Sequence, residues 1–201
     1  MVDFRKWFPA LAVAALAFGA ASTANAQQVA AFSCVGNAGV PPIVRAEGLA
    51  ELVGDLVLNC NGGTPTALGS PVPQANVQIF LNTNVTSRLL SDPWSEALLM
   101  IDEPGVNAQR YCTTNGGCAV TGVGSSTGTD GIVDGVDYDA PTVEGGVANV
   151  FQGRQSGANS IVWLGVPIDP PGTNATRIIR ITNVRANANQ QQGWWRCCKS
   201  A

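Results

Sequence analysis

The chain predicts an all-β fold, an antiparallel two-sheet β-sandwich of immunoglobulin-like or jelly-roll-like type. Three observations carry that expectation. Apolar residues alternate with polar ones in short runs, and those runs are bounded by Gly, Pro, Asn and Asp clusters. Helical periodicity is scarce after the first 26 residues. The strand-like runs number about eight, and two facing sheets are the economical way to bury that many strands.

Residues 1–26 read as a secretory leader. Arg5 and Lys6 precede a small and apolar run from Pro9 to Ala21, and Ala24-Asn25-Ala26 places small residues where a signal peptidase cuts. The run is short of the roughly 20 residues that a bilayer span requires, and no later stretch approaches that length. Cleavage before Gln27 leaves about 175 residues, enough for one domain with its own core. No cysteine adjoins the cut to carry a lipid. The expected location is extracellular or at the cell surface, with the periplasm as the other exported compartment.

Within the domain expected over residues 27–187, strands are predicted around Val29–Cys34, Ala50–Cys60, Val77–Leu81, Ser87–Leu90 and Glu96–Ile101. Leu52, Gly54, Leu56, Leu58 and Cys60 share one face of the second of these, opposite Asp55 and Asn59. In the third, Val77, Ile79 and Leu81 share a face, while Phe80 stands on the nominally polar one. Glu96–Ile101 follows Asp92-Pro93 and fits either a strand or a helical turn; the strand is preferred. Val147–Gln155, Ile161–Ile168 and Thr176–Val184, separated by turn-forming residues, predict a three-stranded antiparallel meander. Its middle strand is apolar on both faces at Ile161-Val162-Trp163-Leu164, as expected for a covered strand. Residues 116–146 are rich in Gly, Ser, Thr and Asp and read as a long loop.

Composition narrows the function classes. The formal net charge is −3, and loss of Arg5, Lys6 and Asp3 with the leader makes it one unit more negative. Nucleic acid and anionic lipid are poor partners for such a chain. Charged residues are only 12% of the total, so the surface is polar but weakly charged. Histidine is absent, which excludes Ser-His-Asp and Cys-His catalysis and histidine-ligated metals. Carboxylates are then the remaining candidates for acid–base chemistry.

Six cysteines, Cys34, Cys60, Cys112, Cys118, Cys197 and Cys198, stand in a chain expected to be exported. The preferred disulfides are Cys34 with Cys60 and Cys112 with Cys118, the latter closing a loop turned at Asn115-Gly116. Zinc is disfavoured, because no second closely spaced pair and no histidine completes a site. Asp130, Asp134, Asp137 and Asp139, spaced among glycines, are a candidate Ca²⁺ loop, although their spacing matches no EF-hand; the alternative is a solvated acidic loop. A glycosidase pair drawn from these acids or from Asp102 and Glu103 has nothing to fix its separation. Trp94, Trp163, Trp194 and Trp195 offer a sugar-stacking platform, with core packing as the competing role for Trp163. Asn84-Val85-Thr86 and Asn174-Ala175-Thr176 match the glycosylation sequon, which a bacterial type of leader makes unimportant. The tail over 188–201, with Gln190-Gln191-Gln192, Trp194-Trp195 and adjacent Cys197-Cys198, has no periodicity and reads either as an irregular native tail or as the product of an altered or truncated reading frame.

The segments Val44–Leu49, Val57–Cys60, Asn84–Arg88, Glu96–Leu99 and Arg177–Asn187 resemble a group of uncharacterised secreted β-rich proteins of soil-type bacteria. The resemblance spans Val29 to Asn187. Members continue beyond the strand matching Asn183–Asn187, which adds to the expectation of truncation. The resemblance implies an extracellular setting and no catalytic residues.

The leading expectation is a non-enzymatic structural or adhesive surface protein, without cofactor, acting through self-association or contact with a matrix or polysaccharide. The alternative is a calcium-dependent carbohydrate-binding module, and a carboxylate-dependent hydrolase ranks third.

Overall fold

Alternation in the sequence becomes one long antiparallel ladder. The computed structural model describes residues 30–38, 42–122, 135–138 and 147–190. The predicted leader, most of the glycine-rich stretch and the tail beyond Gln190 lie outside them. The strands are β1 (Ser33–Ala38), β2 (Glu51–Leu52), β3 (Leu56–Gly62), β4 (Gln74–Phe80), β5 (Leu89–Ser91), β6 (Trp94–Ile101), β7 (Val150–Gly157), β8 (Ser160–Pro167), β9 (Gly172–Thr182) and β10 (Arg185–Ala186). A 3-10 turn at Ala188–Gln190 follows.

The fold is all-β, as predicted. An eight-stranded sheet has the order β1-β3-β9-β6-β7-β8-β4, with β5 attached to β6, and it curls into a half-barrel. β2 and β10 form a separate two-stranded ribbon. The hydrogen bonds thus follow one continuous path instead of dividing the strands between two sheets of similar size. Curling does the work of a second sheet, because a twisted sheet wraps its inner face around its own side chains.

That inner face is the core. β6 alternates without a fault: Ser95, Ala97, Leu99 and Ile101 are buried and the residues between them half-buried. On β8, Ile161, Trp163 and Val166 are fully buried, whereas Val162 and Leu164 are half-buried, so one face is sealed and the other only partly covered. Gly153 on β7 makes room for the indole; a Cβ there would lie 3.0 Å from Trp163 Cε2 and 2.7 Å from Ile161 Cγ2. Val77 and Ile79 of β4 point inward and Phe80 points out, 68% exposed.

Three sequence expectations are corrected. The strand expected over Val29–Cys34 runs instead from Ser33 to Ala38, because its partner β3 sets the register, Cys34 opposite Cys60 and Ala38 opposite Leu56. β7 and β8 form the predicted hairpin, but β9 does not continue the meander; it inserts between β3 and β6. Cross-strand packing explains the move. Ile181 lies between Leu56 and Leu99, and Ile179 between Leu58 and Ile101, giving two apolar rows across three strands. The predicted strand over Ala50–Cys60 is also broken. β2 peels away to pair with β10, Leu52 opposite Arg185, which leaves Leu52 44% exposed and limits the inward-facing set to Leu56, Leu58 and Cys60.

Candidate functional site

The acids at the end of β6 meet arginines of β9. Asp102 and Glu103 both have positive φ, 57° and 48°. Asp102 accepts the Ile178 N–H at 2.9 Å through Oδ1 and pairs with the Arg177 guanidinium through Oδ2. Glu103 pairs with Arg180, which also reaches Asp55 at 3.0 Å. These hydrogen bonds raise the pKa of Arg180 and hold it charged.

Arg177 is fully buried. Its Nε donates to the Asp169 carbonyl at 3.0 Å and its Nη2 to the Val136 carbonyl at 3.1 Å, with Asp169 Oδ2 at 3.5 Å. The guanidinium lies over the Tyr138 ring, 4.6 Å from the centroid. Asp169, also fully buried, accepts the N–H groups of Thr66 and Val136, each at 2.8 Å. The Tyr138 hydroxyl donates to the Pro167 carbonyl at 2.8 Å, and burial pushes its pKa well above the ordinary tyrosine value. Gly135, at φ 111°, lets the chain pass Asp169; a Cβ there would fall 2.2 Å from Oδ2.

Each of these carboxylate oxygens on Asp102 and Asp169 already accepts from a backbone N–H or a guanidinium. The arrangement fastens residues 135–138 to β9 and to the stretch before β4. A general acid would instead need a protonated, accessible carboxyl. Sequence reasoning missed Arg177 and Asp169. A signal existed for the arginine: Arg177 shares its strand face with Ile179 and Ile181, the buried ones.

Of the candidate Ca²⁺ set, Asp130, Asp134 and Asp139 lie outside the described residues. Asp137 is buried, 8% exposed, between the fully buried Val136 and Tyr138. Among the described residues no group of three or more His, Cys, Asp or Glu side chains converges on a point that would hold a metal. The tryptophans do not form a platform there either. Trp163 is sealed in the core, and Trp94 has its ring face covered by Arg154 at 5.3 Å; Trp194 and Trp195 are not described.

Cysteines sit in the expected pairs at disulfide distance. Cys34 and Cys60 are directly opposite in the β1–β3 register, with sulfurs 2.04 Å apart. Cys112 and Cys118 close the short loop predicted for them. That loop rests on β8 where two glycines nearly touch: a Cβ on Gly117 would lie 2.3 Å from the Gly165 carbonyl oxygen. Cys197 and Cys198 lie outside the described residues.

The remaining candidate is the pair of sheet edges left unpaired among the described residues. β1 and β4 end the ladder, and neither SCVGNA nor QANVQIF contains a charge or a proline, the residues that usually blunt an edge. β1 is exposed from Ser33 to Asn37, with Val35 71% exposed. On β4, the Leu81 N–H donates to the Asn159 carbonyl at 2.8 Å and the Ile168 N–H to the Pro73 carbonyl at 3.0 Å. Odd-numbered residues therefore bond to β8, and Gln74, Asn76, Gln78 and Phe80 turn their backbone groups to the open side. The stretch just before β4 is covered, because the Val72 N–H donates to the Val120 carbonyl at 2.8 Å. Between β3 and the end of β4 lies an apolar recess of about 230 Å³, lined by Val53, Leu56, Ile79, Leu81, Ile181 and Val184.

No protein-family model, curated protein or solved structure matches this chain. Among the described residues no helix is long and apolar enough to cross a membrane.

Proposed function

We propose that this is an exported, non-enzymatic structural or adhesive protein of a cell surface or extracellular matrix, acting through self-association or matrix contacts made by its sheet edges. The observation that carries the reading is the pair of edges: β1 and β4 are uncharged and solvent-facing. An exposed edge of that kind recruits another strand through its backbone and selects it through alternate side chains. Two disulfide pairs are compatible with an oxidising compartment. The engagement of Asp102 and Glu103 by Arg177 and Arg180 argues against a carboxylate-dependent hydrolase built on that pair.

Light scattering coupled to size exclusion, run on the mature protein over a concentration series in calcium and then in EDTA, tests the reading. Association that grows with concentration and ignores calcium is expected. A monomer that changes its hydrodynamic size when calcium is chelated would overturn the proposal in favour of calcium-dependent ligand binding.

A further inference from the structure

We infer that two copies of this chain join through β4, antiparallel, about a two-fold axis at Gln78. The inference rests on the proposed self-association and specifies its joint.

Direction is the first reason. Every neighbouring pair along β1-β3-β9-β6-β7-β8-β4 is antiparallel, so β1 and β4 run the same way. A joint of β1 with a second copy's β4 that kept the inner faces together would be parallel. Joining β4 to β4 with the inner faces together is antiparallel, like every other ladder contact in the molecule, and it closes with the commonest symmetry of soluble oligomers.

Self-complementarity is the second. With Gln78 on the axis, Gln78 faces Gln78 of the other copy, and Asn76 faces Phe80 and Phe80 faces Asn76 across the joint. These are three of the four residues whose backbone groups turn to the open side, and the register engages them in about six hydrogen bonds; Gln74 falls opposite residue 82, beyond the end of β4. On the inner face Val77 meets Ile79, and Ile79 meets Val77, at the closely spaced non-hydrogen-bonded positions where apolar cross-strand pairs gain most. Phe80, 68% exposed in the single chain, gains a neighbour. The irregularity in the β4–β8 pairing falls between Ala75 and Val77, where two β4 steps span three on β8, so the extra residue is on β8 and β4 itself stays regular.

Charge is the third. A two-fold axis sets each residue near its own copy, so any charge close to the axis would meet its like. From Gln74 to Phe80 there is none, in a chain that has 25 Lys, Arg, Asp and Glu residues.

A joint of one strand pair is small, so a dissociation constant of roughly micromolar or weaker is expected. Sedimentation equilibrium of the mature protein up to about a millimolar, beside Gln78→Lys, Gln78→Glu, their equimolar mixture, and Val35→Lys on β1, tests the joint. Residue 78 is exposed, and unchanged circular dichroism and urea midpoints will confirm that each variant folds. The wild type and Val35→Lys are expected to dimerise. Each Gln78 variant alone should weaken the dimer on the order of a hundredfold, and the mixture should restore it, since Lys then faces Glu across the axis. A wild type that stays monomeric overturns this joint and self-association together. A wild type that associates while the Gln78 variants do so equally well overturns the β4 joint and leaves self-association standing.

Discussion

Arg177 shows how a single residue holds the inner end of this sheet. Replacing it with leucine leaves Asp169 buried beside its two backbone donors with no cation, and the loss should be about 3–5 kcal/mol in urea unfolding. Tyr138 makes the same cluster sensitive to base. Its hydroxyl is held neutral in the folded chain by a pKa raised above the ordinary 10.0. Above pH 10 the unfolded chain releases that proton and the folded chain keeps it, so stability should fall as pH rises past that point. Tyr138→Phe is expected to flatten that alkaline slope while losing about 1–2 kcal/mol at neutral pH from the bond to Pro167, both read from urea midpoints across a pH series. At this scale the sequence was half legible. The parity of Arg177 with Ile179 and Ile181 was visible, but only the fold brings Asp102 and Asp169 to the guanidinium, from 75 and 8 residues away. An arginine in a strand, taken alone, is more often a solvated one.

At the scale of elements, period-two alternation found the strands that bury one face, β3, β4, β6, β8 and β9, and it placed Phe80 correctly on the outer side of β4; β1, exposed from Ser33 to Asn37, carries no such pattern and begins four residues after the expected Val29. It did not find their order. Turn residues report only that two strands are close in sequence, and the place of β9 depends on how Ile179 and Ile181 match Leu56, Leu58, Leu99 and Ile101 on strands far away. The free edges belonged to the same blind spot: QANVQIF reads as a strand, but its being terminal is a property of the ladder. Close backbone approach between elements was equally hidden. Gly165 has φ 59°, and a Cβ there would lie 2.3 Å from the Gly116 carbonyl oxygen, so the 112–118 loop can rest on β8 only if residue 165 is glycine. Gly165→Ala should cost roughly 2 kcal/mol or more in the thermal or urea midpoint.

At the scale of the molecule, the described residues leave an open edge at each side of the half-barrel, and a β4 joint would place the two β1 strands at the far ends of a doubled sheet. Among the described residues β1 has only β3 as a neighbour, yet Cys34 ties it there covalently through Cys60. Reducing this bond, or replacing both cysteines with serine, should lower stability on the order of 3 kcal/mol in urea. A larger effect should appear under tension. An edge strand pulled away from its sheet unzips one hydrogen-bonded pair at a time, at low force. Here the tear would stop at Cys34, and the load would pass through the sulfur bridge into β3, which β9 holds along its far side. A tether made to β1 is therefore anchored one strand in from the edge, on β3, and its resistance to being pulled off is set by the redox state of one bond.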